Sequence, residues 1–517
     1  LGANNLAPDL ENQRWVASQP GVRIGVKKEG LYRVTREELQ AAGFDVNSPS
    51  ANWRLFLNGN EQSIIVHPNG DYIEFYGFGL DTRETDTQVY FLIAGNQAGS
   101  RIQLVNLPST GNIVSTNFIF ATKYKYRALY VSDILNGDAD NFFGSQVIST
   151  TTGVSVNFEV PDIDCDSITS EFFPCNSKRL TISVGVQGFT QTTHNVRVEL
   201  NGFELGVISG SGHNLMQQHY KISAAVPGRV LQGTNTLRFS TTGTPGDVSF
   251  LESISVNYKR KYIARNNQLS FQTTNLKKSK LTGFTSPNVR VFDLINPDEP
   301  AQLDLPVVQE GDTYKIDLPS NENRAMFAVE DSAILQPLWI APNMPSTLAT
   351  TAHNANLLIV THKNFTEQAN TWAAYRAGQG FLTEVVQIED VFDEFNYGAS
   401  DSIALRHFFE YAKNNWQTPP QYILLIGDAS YDYRNYEGLG NNNYIPTRLV
   451  DTVYMETGSD ETLADFNDDG LAEVSIGRIP ARTPETVTQI FNKTISFEQS
   501  VAQWTNRGAL FVYDQAI

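Results

Sequence analysis

The sequence is short of cysteine, of basic residues and of long apolar runs. Only two cysteines occur in 517 residues, Cys165 and Cys175, within CDSITSEFFPC. They can close a local loop as a disulfide or stand as two free thiols. Two sulfurs with no histidine at ligand spacing do not make a four-ligand zinc site. The disulfide reading implies an oxidising, exported setting. Lys and Arg number 38 against 56 Asp and Glu, a formal charge of −18. So acidic a chain is a poor partner for nucleic acid or an anionic membrane, both of which want positive charge. No run of about 18 apolar residues appears, so no transmembrane segment is expected. The chain opens at Leu1, without a Met and without a basic stretch leading into an apolar one. That reads either as a mature chain whose export signal has been removed or as a piece cut from a longer one.

What the chain has is apolar material. Hydrophobic residues make up 41% and charged ones 18%, which excludes disorder as a whole. The length predicts three to four domains of about 150 residues. From about residue 22 to 345 short runs of Val, Ile, Phe, Tyr and Thr alternate with Gly-containing turns, the pattern of β structure. Asn58-Gly59 and Asn201-Gly202 stand between such runs, as expected of hairpin turns whose central residues take positive φ. Thr35, Glu38 and Gly43 bracket one short helix with a capping box and a stop.

The division expected is a β-rich unit at 1–125, a β-sandwich at 126–262, a small β unit at 263–345, and an α/β unit at 346–517. Pro337–Thr351 reads as a linker. Beyond it the pattern changes. The runs at 356–361, 381–388 and 421–430 read as strands, with helices between them over 365–378 and 401–416. This βαβαβ order predicts a parallel sheet with right-handed crossovers. Ligands of such sheets lie beyond the carboxyl ends of the strands, which places Gly427–Ser430 at a candidate site. The fold class expected is therefore multidomain: all-β sandwich or jelly-roll-like domains, then the first part of an α/β domain.

The sharpest local motif is ADFNDDGLAEVSIGRIP. Asp465, Asn467 and Asp469 alternate, Gly470 follows, and Glu473 sits at the ninth position of the loop. Oxygen donors at alternate positions before a glycine suit calcium. The twelfth position is Ile476 rather than Glu, so the loop is no complete EF-hand; the alternative is a plain acidic turn between strands. Nucleophilic catalysis has few candidates. The α/β segment holds no cysteine, and its histidines are His353, His362 and His407. His362 follows a strand and could face a site; His407 reads as helix surface or packing. Ser430 does not match a nucleophile elbow, and Gly438–Asn443 lacks the lysine of a phosphate loop.

YILLIGDASYDYR, IPTRLV and the stretch from Thr457 to Glu498 containing GRIPART resemble the gingipain family of secreted bacterial cysteine peptidases. ANWRLFLNGN, GDYIEFYGFGLDT and SPNVRVFDL resemble the β domains that precede the peptidase domain in large members. The type IX secretion sortase of gliding and oral bacteria is similar in layout. The resemblance implies a caspase-like fold, a Cys nucleophile with a His, a peptide or protein substrate, calcium binding and a secreted or cell-surface location. It also implies that the catalytic His and Cys follow later strands, so no catalytic residue is expected in this chain, and a C-terminal remainder of the same gene product is its expected partner. The activity implied is endopeptidase; the alternatives are a sortase-like transpeptidase, or a non-catalytic binding protein with a peptidase-derived domain.

Overall fold

The structure, a computed structural model, describes residues 6–108, 112–149, 153–164, 180–222, 230–242 and 244–504. Cys165 and Cys175 lie outside them. Two compact units are present. The first takes in Leu1–Ser346 together with Arg434–Leu439 and Leu449–Thr457; the second takes in Thr347–Tyr433, Gly440–Arg448 and Gly458–Ile517.

The first unit is built of β-sheets. Gly21–Val26 pairs antiparallel with Gln88–Ala94 on one side and Trp339–Asn343 on the other. Its inward residues Val22, Ile24 and Val26 meet Trp53, Leu55 and Leu92 in one core. The start of the expected linker is therefore an edge strand. Pro342 sits opposite Val22 in it, and an edge is where a sheet tolerates a residue with no N–H. Both Asn-Gly turns form as expected: φ is +50° and +77° at Asn58 and Gly59, +49° and +84° at Asn201 and Gly202. The capping box also forms, with Thr35 Oγ1 accepting from Glu38 N and Glu38 Oε2 accepting from Thr35 N.

Two antiparallel sheets follow, one ordered 154–160, 233–241, 193–200, 203–211 and one containing 117–125, 248–261, 180–188, 215–222. Ile182, Val184, Val196, Leu237 and Ile254 share a single core between them, which makes this part a sandwich. The strands nearer residue 300 do not stand alone. Gln103–Val105 joins Ala301–Leu303 in parallel, and Ile113–Ser115 joins Lys277–Phe284 in parallel. Segments assigned by sequence to the first β unit thus cover edges of sheets further along the chain, where an open edge invites aggregation.

The second unit is a four-stranded parallel sheet in the order Thr383–Gln387, Leu357–Thr361, Tyr422–Ile426, Ser475–Ile479. Leu358, Val360 and Leu425 pack under Phe408 and Phe409 on one face. Leu357, Ile359 and Ile426 pack under Phe365, Trp372 and Val487 on the other. Burial on both faces accounts for the near-continuous apolar runs. Helices Thr366–Gly378, Ser402–Asn415 and Pro484–Trp504 flank the sheet, and Asp401 caps the second through Ile403 N. The helix Ile388–Phe395 was not legible as one: Ile388 reads as the end of a strand but begins the buried stripe Ile388, Val391, Phe392 and Phe395. Among the described residues no helix is long and apolar enough to cross a membrane.

Candidate functional site

In a parallel sheet the strands all end at one edge, and loops there gather ligands. Thr361, Ile426 and Ile479 are level in three neighbouring strands, so His362, Gly427 and Pro480 open the same edge. The ladder runs one step further: Gly427 N donates to Ile479 O and Asp428 N to Ala481 O, both at 3.0 Å. The Asp428 carbonyl accepts from Tyr444 N at 3.0 Å and Ile445 N at 3.1 Å. Gly427 has φ +149°, and a Cβ on it would stand 2.9 Å from Ile445 Cγ1 and 3.0 Å from Tyr444 Cβ. Only glycine lets the returning loop lie so close across the strand end.

Charge at this edge is paired. The Asp428 carboxylate accepts from Ala429 N at 3.0 Å and from Arg482 Nε at 2.6 Å, with Arg482 largely exposed. Arg478 reaches Asp460 through Nε and Nη2, both at 2.7 Å, and donates from Nη1 to Gly427 O at 2.8 Å and Ile445 O at 2.7 Å. Burial pushes the Asp460 carboxyl up, but the Arg478 guanidinium outweighs it and holds the group below its ordinary value. His362 Nδ1 accepts from Asn364 N at 3.2 Å, which assigns the ring proton to Nε2. Nε2 faces Glu389 Oε1 at 3.7 Å, and the ring lies 5.1 Å from that of Tyr444. Burial pushes the imidazole below its ordinary value against the pull of Glu389, so the ring is neutral at neutral pH. His407, on the helix Ser402–Asn415, is exposed.

The acidic loop enters the strand Ser475–Ile479 from the opposite end. Carboxylate oxygens of Asp465, Asp469 and Glu473 lie within 4.8 Å of one another. The loop is wound round them by its own backbone. Asp465 Oδ2 accepts from Gly470 N at 2.9 Å, Asn467 Oδ1 from Asp469 N at 2.9 Å, and Glu473 Oε2 from Phe466 N at 2.5 Å. Asp468 and Gly470 take φ of +59° and +86°. Asp468 points away into an ion pair with Arg406 at 2.8 Å. Three carboxylates converge here, and an all-oxygen set of this kind fits a hard divalent ion such as calcium. Sequence reasoning missed Arg478, Arg482 and Asp460. The signal was the pair of arginines flanking Ile-Pro in GRIPAR, where one strand ends.

Residues 350–516 match the family model described as Peptidase family C25. No curated protein matches the chain. Among solved structures, dimeric latent PorU from Porphyromonas gingivalis is similar at 18% identity and a TM-score of 0.67, over 96% of this chain and 52% of that one. The chain therefore spans about half the length of that relative, which it resembles in fold. A structure described only as a protease shares 19% identity over 28% of each chain, at a TM-score of 0.22, too low to define a common fold.

Proposed function

We propose that the protein containing this chain is a gingipain-like cysteine endopeptidase acting outside the cell, and that the second unit forms part of the wall against which its substrate lies. The reading rests on one observation: the segment that matches the C25 peptidase family is a parallel sheet whose carboxyl edge carries a braced loop. A thiolate would attack the peptide carbonyl and form a thioester as the C–N bond breaks and the amine leaves with a proton; water would then hydrolyse the thioester and free the thiol. Residues 350–516 contain no cysteine, so the nucleophile comes from elsewhere in the whole protein. The residues of this chain position: Arg478 fixes the floor of the edge, and Asp428 orients Arg482. Calcium, held by Asp465, Asn467, Asp469 and Glu473, would supply positive charge to a loop of like charges and fix the start of the strand that carries Arg478.

The test is cleavage of an unfolded protein substrate by the whole native protein, with and without prior alkylation by iodoacetamide. Cleavage lost on alkylation is expected; cleavage indifferent to it overturns the reading. The second reading, a sortase-like transpeptidase, draws support from a likeness that runs through the β units as well as the peptidase segment. It shares the acyl-enzyme and differs in the acceptor. An added amine nucleophile would then appear in the product in place of water.

A further inference from the structure

A shallow cleft of about 110 Å³, open to solvent, lies within the first unit, and the backbone around it is irregular. Leu180–Gly188 runs antiparallel to Val248–Lys261 with one slip of register: Gly185 faces Ser253, and Val186 faces Leu251. Glu252 is therefore an extra residue, and a bulge of this kind re-aims a side chain. Gly185 makes the room for it, since a Cβ there would stand 2.5 Å from Glu252 Oε2. Tyr126 N holds the Glu252 carbonyl at 2.9 Å, and Ser253 Oγ donates to Oε2.

Polar groups lining this cleft are left over once the internal bonds are assigned. Glu252 Oε1 makes no bond to a described residue, nor do the Lys125 ammonium, the Asn136 carboxamide or the Tyr126 hydroxyl. Gln187 is buried and spends its Nε2 on Gly188 O at 3.0 Å, leaving Oε1. By contrast Arg127 and Asp140, which also line the cleft, satisfy each other at 2.5 Å. The unspent set holds one cation, one anion, and amide and hydroxyl groups that both donate and accept, beside the rings of Tyr126 and Phe142. Such a set prefers no net charge. It suits a ligand with an apolar ring face and a rim of hydroxyls, each able to give and to take a hydrogen bond.

We propose that this cleft binds one pyranose unit of a carbohydrate. Glu252 and Gln187 accept from ring hydroxyls, Lys125 donates to one, and an aromatic ring lies under the C–H face. The experiment is saturation-transfer NMR of the full chain with glucose, galactose, mannose and N-acetylglucosamine, each alone. At least one sugar is expected to bind, and Glu252→Gln and Gly185→Ala to weaken it by about tenfold or more, the order of one lost hydrogen bond to a charged group. Lys125→Ala alters only an exposed side chain, so it keeps the test decisive if either of the others fails to fold; it too should weaken binding. Absence of transfer from all four sugars, or binding unchanged in Lys125→Ala and in every variant that folds, overturns the proposal.

Discussion

The Arg478 guanidinium divides itself among the Asp460 carboxylate and the carbonyls of Gly427 and Ile445. Arg478→Ala takes the guanidinium away from a sheltered carboxylate and two carbonyls. Breaking such a pair costs about 3 kcal/mol when it is only partly buried, and urea melts at neutral pH should show that loss. Because the folded Asp460 value lies below the ordinary one, the pair contributes fully above the ordinary carboxylate range. The contribution fades as pH falls through the lowered value, so the variant should lose less stability than the parent on acidification. His362 follows the same sign by another cause. Its folded value is depressed from 6.5 by burial, so stability is whole above that pH and declines below it, as the unfolded ring takes a proton the folded ring resists. His362→Asn keeps an acceptor for Asn364 N and should flatten the stability profile between pH 7 and 5. At this scale the sequence was informative only where spacing carries chemistry. Asp465, Asp469 and Glu473 were legible because the cluster they form is local in sequence; Arg478 and Asp460 meet across a loop whose path no local pattern gives.

The loop Asp465–Glu473 feeds directly into the strand Ser475–Ile479, so order in one is order in the other. An ion bound only by the folded loop stabilises by about 2.7 kcal/mol at a hundredfold excess over its Kd. For a unit of this size that is roughly 5–10 °C in melting temperature. Addition of a chelator should lower the melting point of the wild type by that amount, and Asp469→Ala should abolish the difference. An unchanged melting point, with no metal by elemental analysis, removes calcium from the account. Elements with a local cause were readable: both Asn-Gly turns, the Thr35 cap and the helix begun by Asp401. Trp339–Asn343 was not, because Pro342, with Pro337 and Pro345 on either side, looks like part of a linker until a partner strand, Gly21–Val26, is in place. The helix Ile388–Phe395 was hidden because its apolar stripe starts where a strand's apolar run stops.

At the scale of the whole chain, the first unit includes two late segments, Arg434–Leu439 and Leu449–Thr457. They are held there by charge. Glu456 is buried, bonded to Arg83 and accepting from Tyr130 Oη at 2.8 Å, while its N–H donates to Ser132 O at 2.8 Å. Asp81 accepts from Arg127 and Arg434, both at 2.7 Å. Burial pushes its carboxyl up, but the two guanidiniums prevail and bring it down to about 2. Glu456→Ala removes a buried carboxylate bonded to Arg83 and Tyr130 and should cost the first unit about 3–5 kcal/mol, seen as a lower midpoint in denaturant. None of this was visible in the sequence, for the partners of Glu456 and Arg434 are hundreds of residues away, and distance likewise hid the pairing of Gln103–Val105 with Ala301–Leu303. The layer order, β units followed by a parallel sheet with helices, was visible because periodicity is local even when pairing is not.

The most direct test of the proposed peptidase is to incubate the whole native protein with an irreversible peptidyl acyloxymethyl ketone and map the adduct by mass spectrometry. The account predicts one labelled cysteine outside residues 350–516, blocked by prior alkylation. Absence of a labelled cysteine in a protein that cleaves substrate, or in one processed to its mature form, would contradict it.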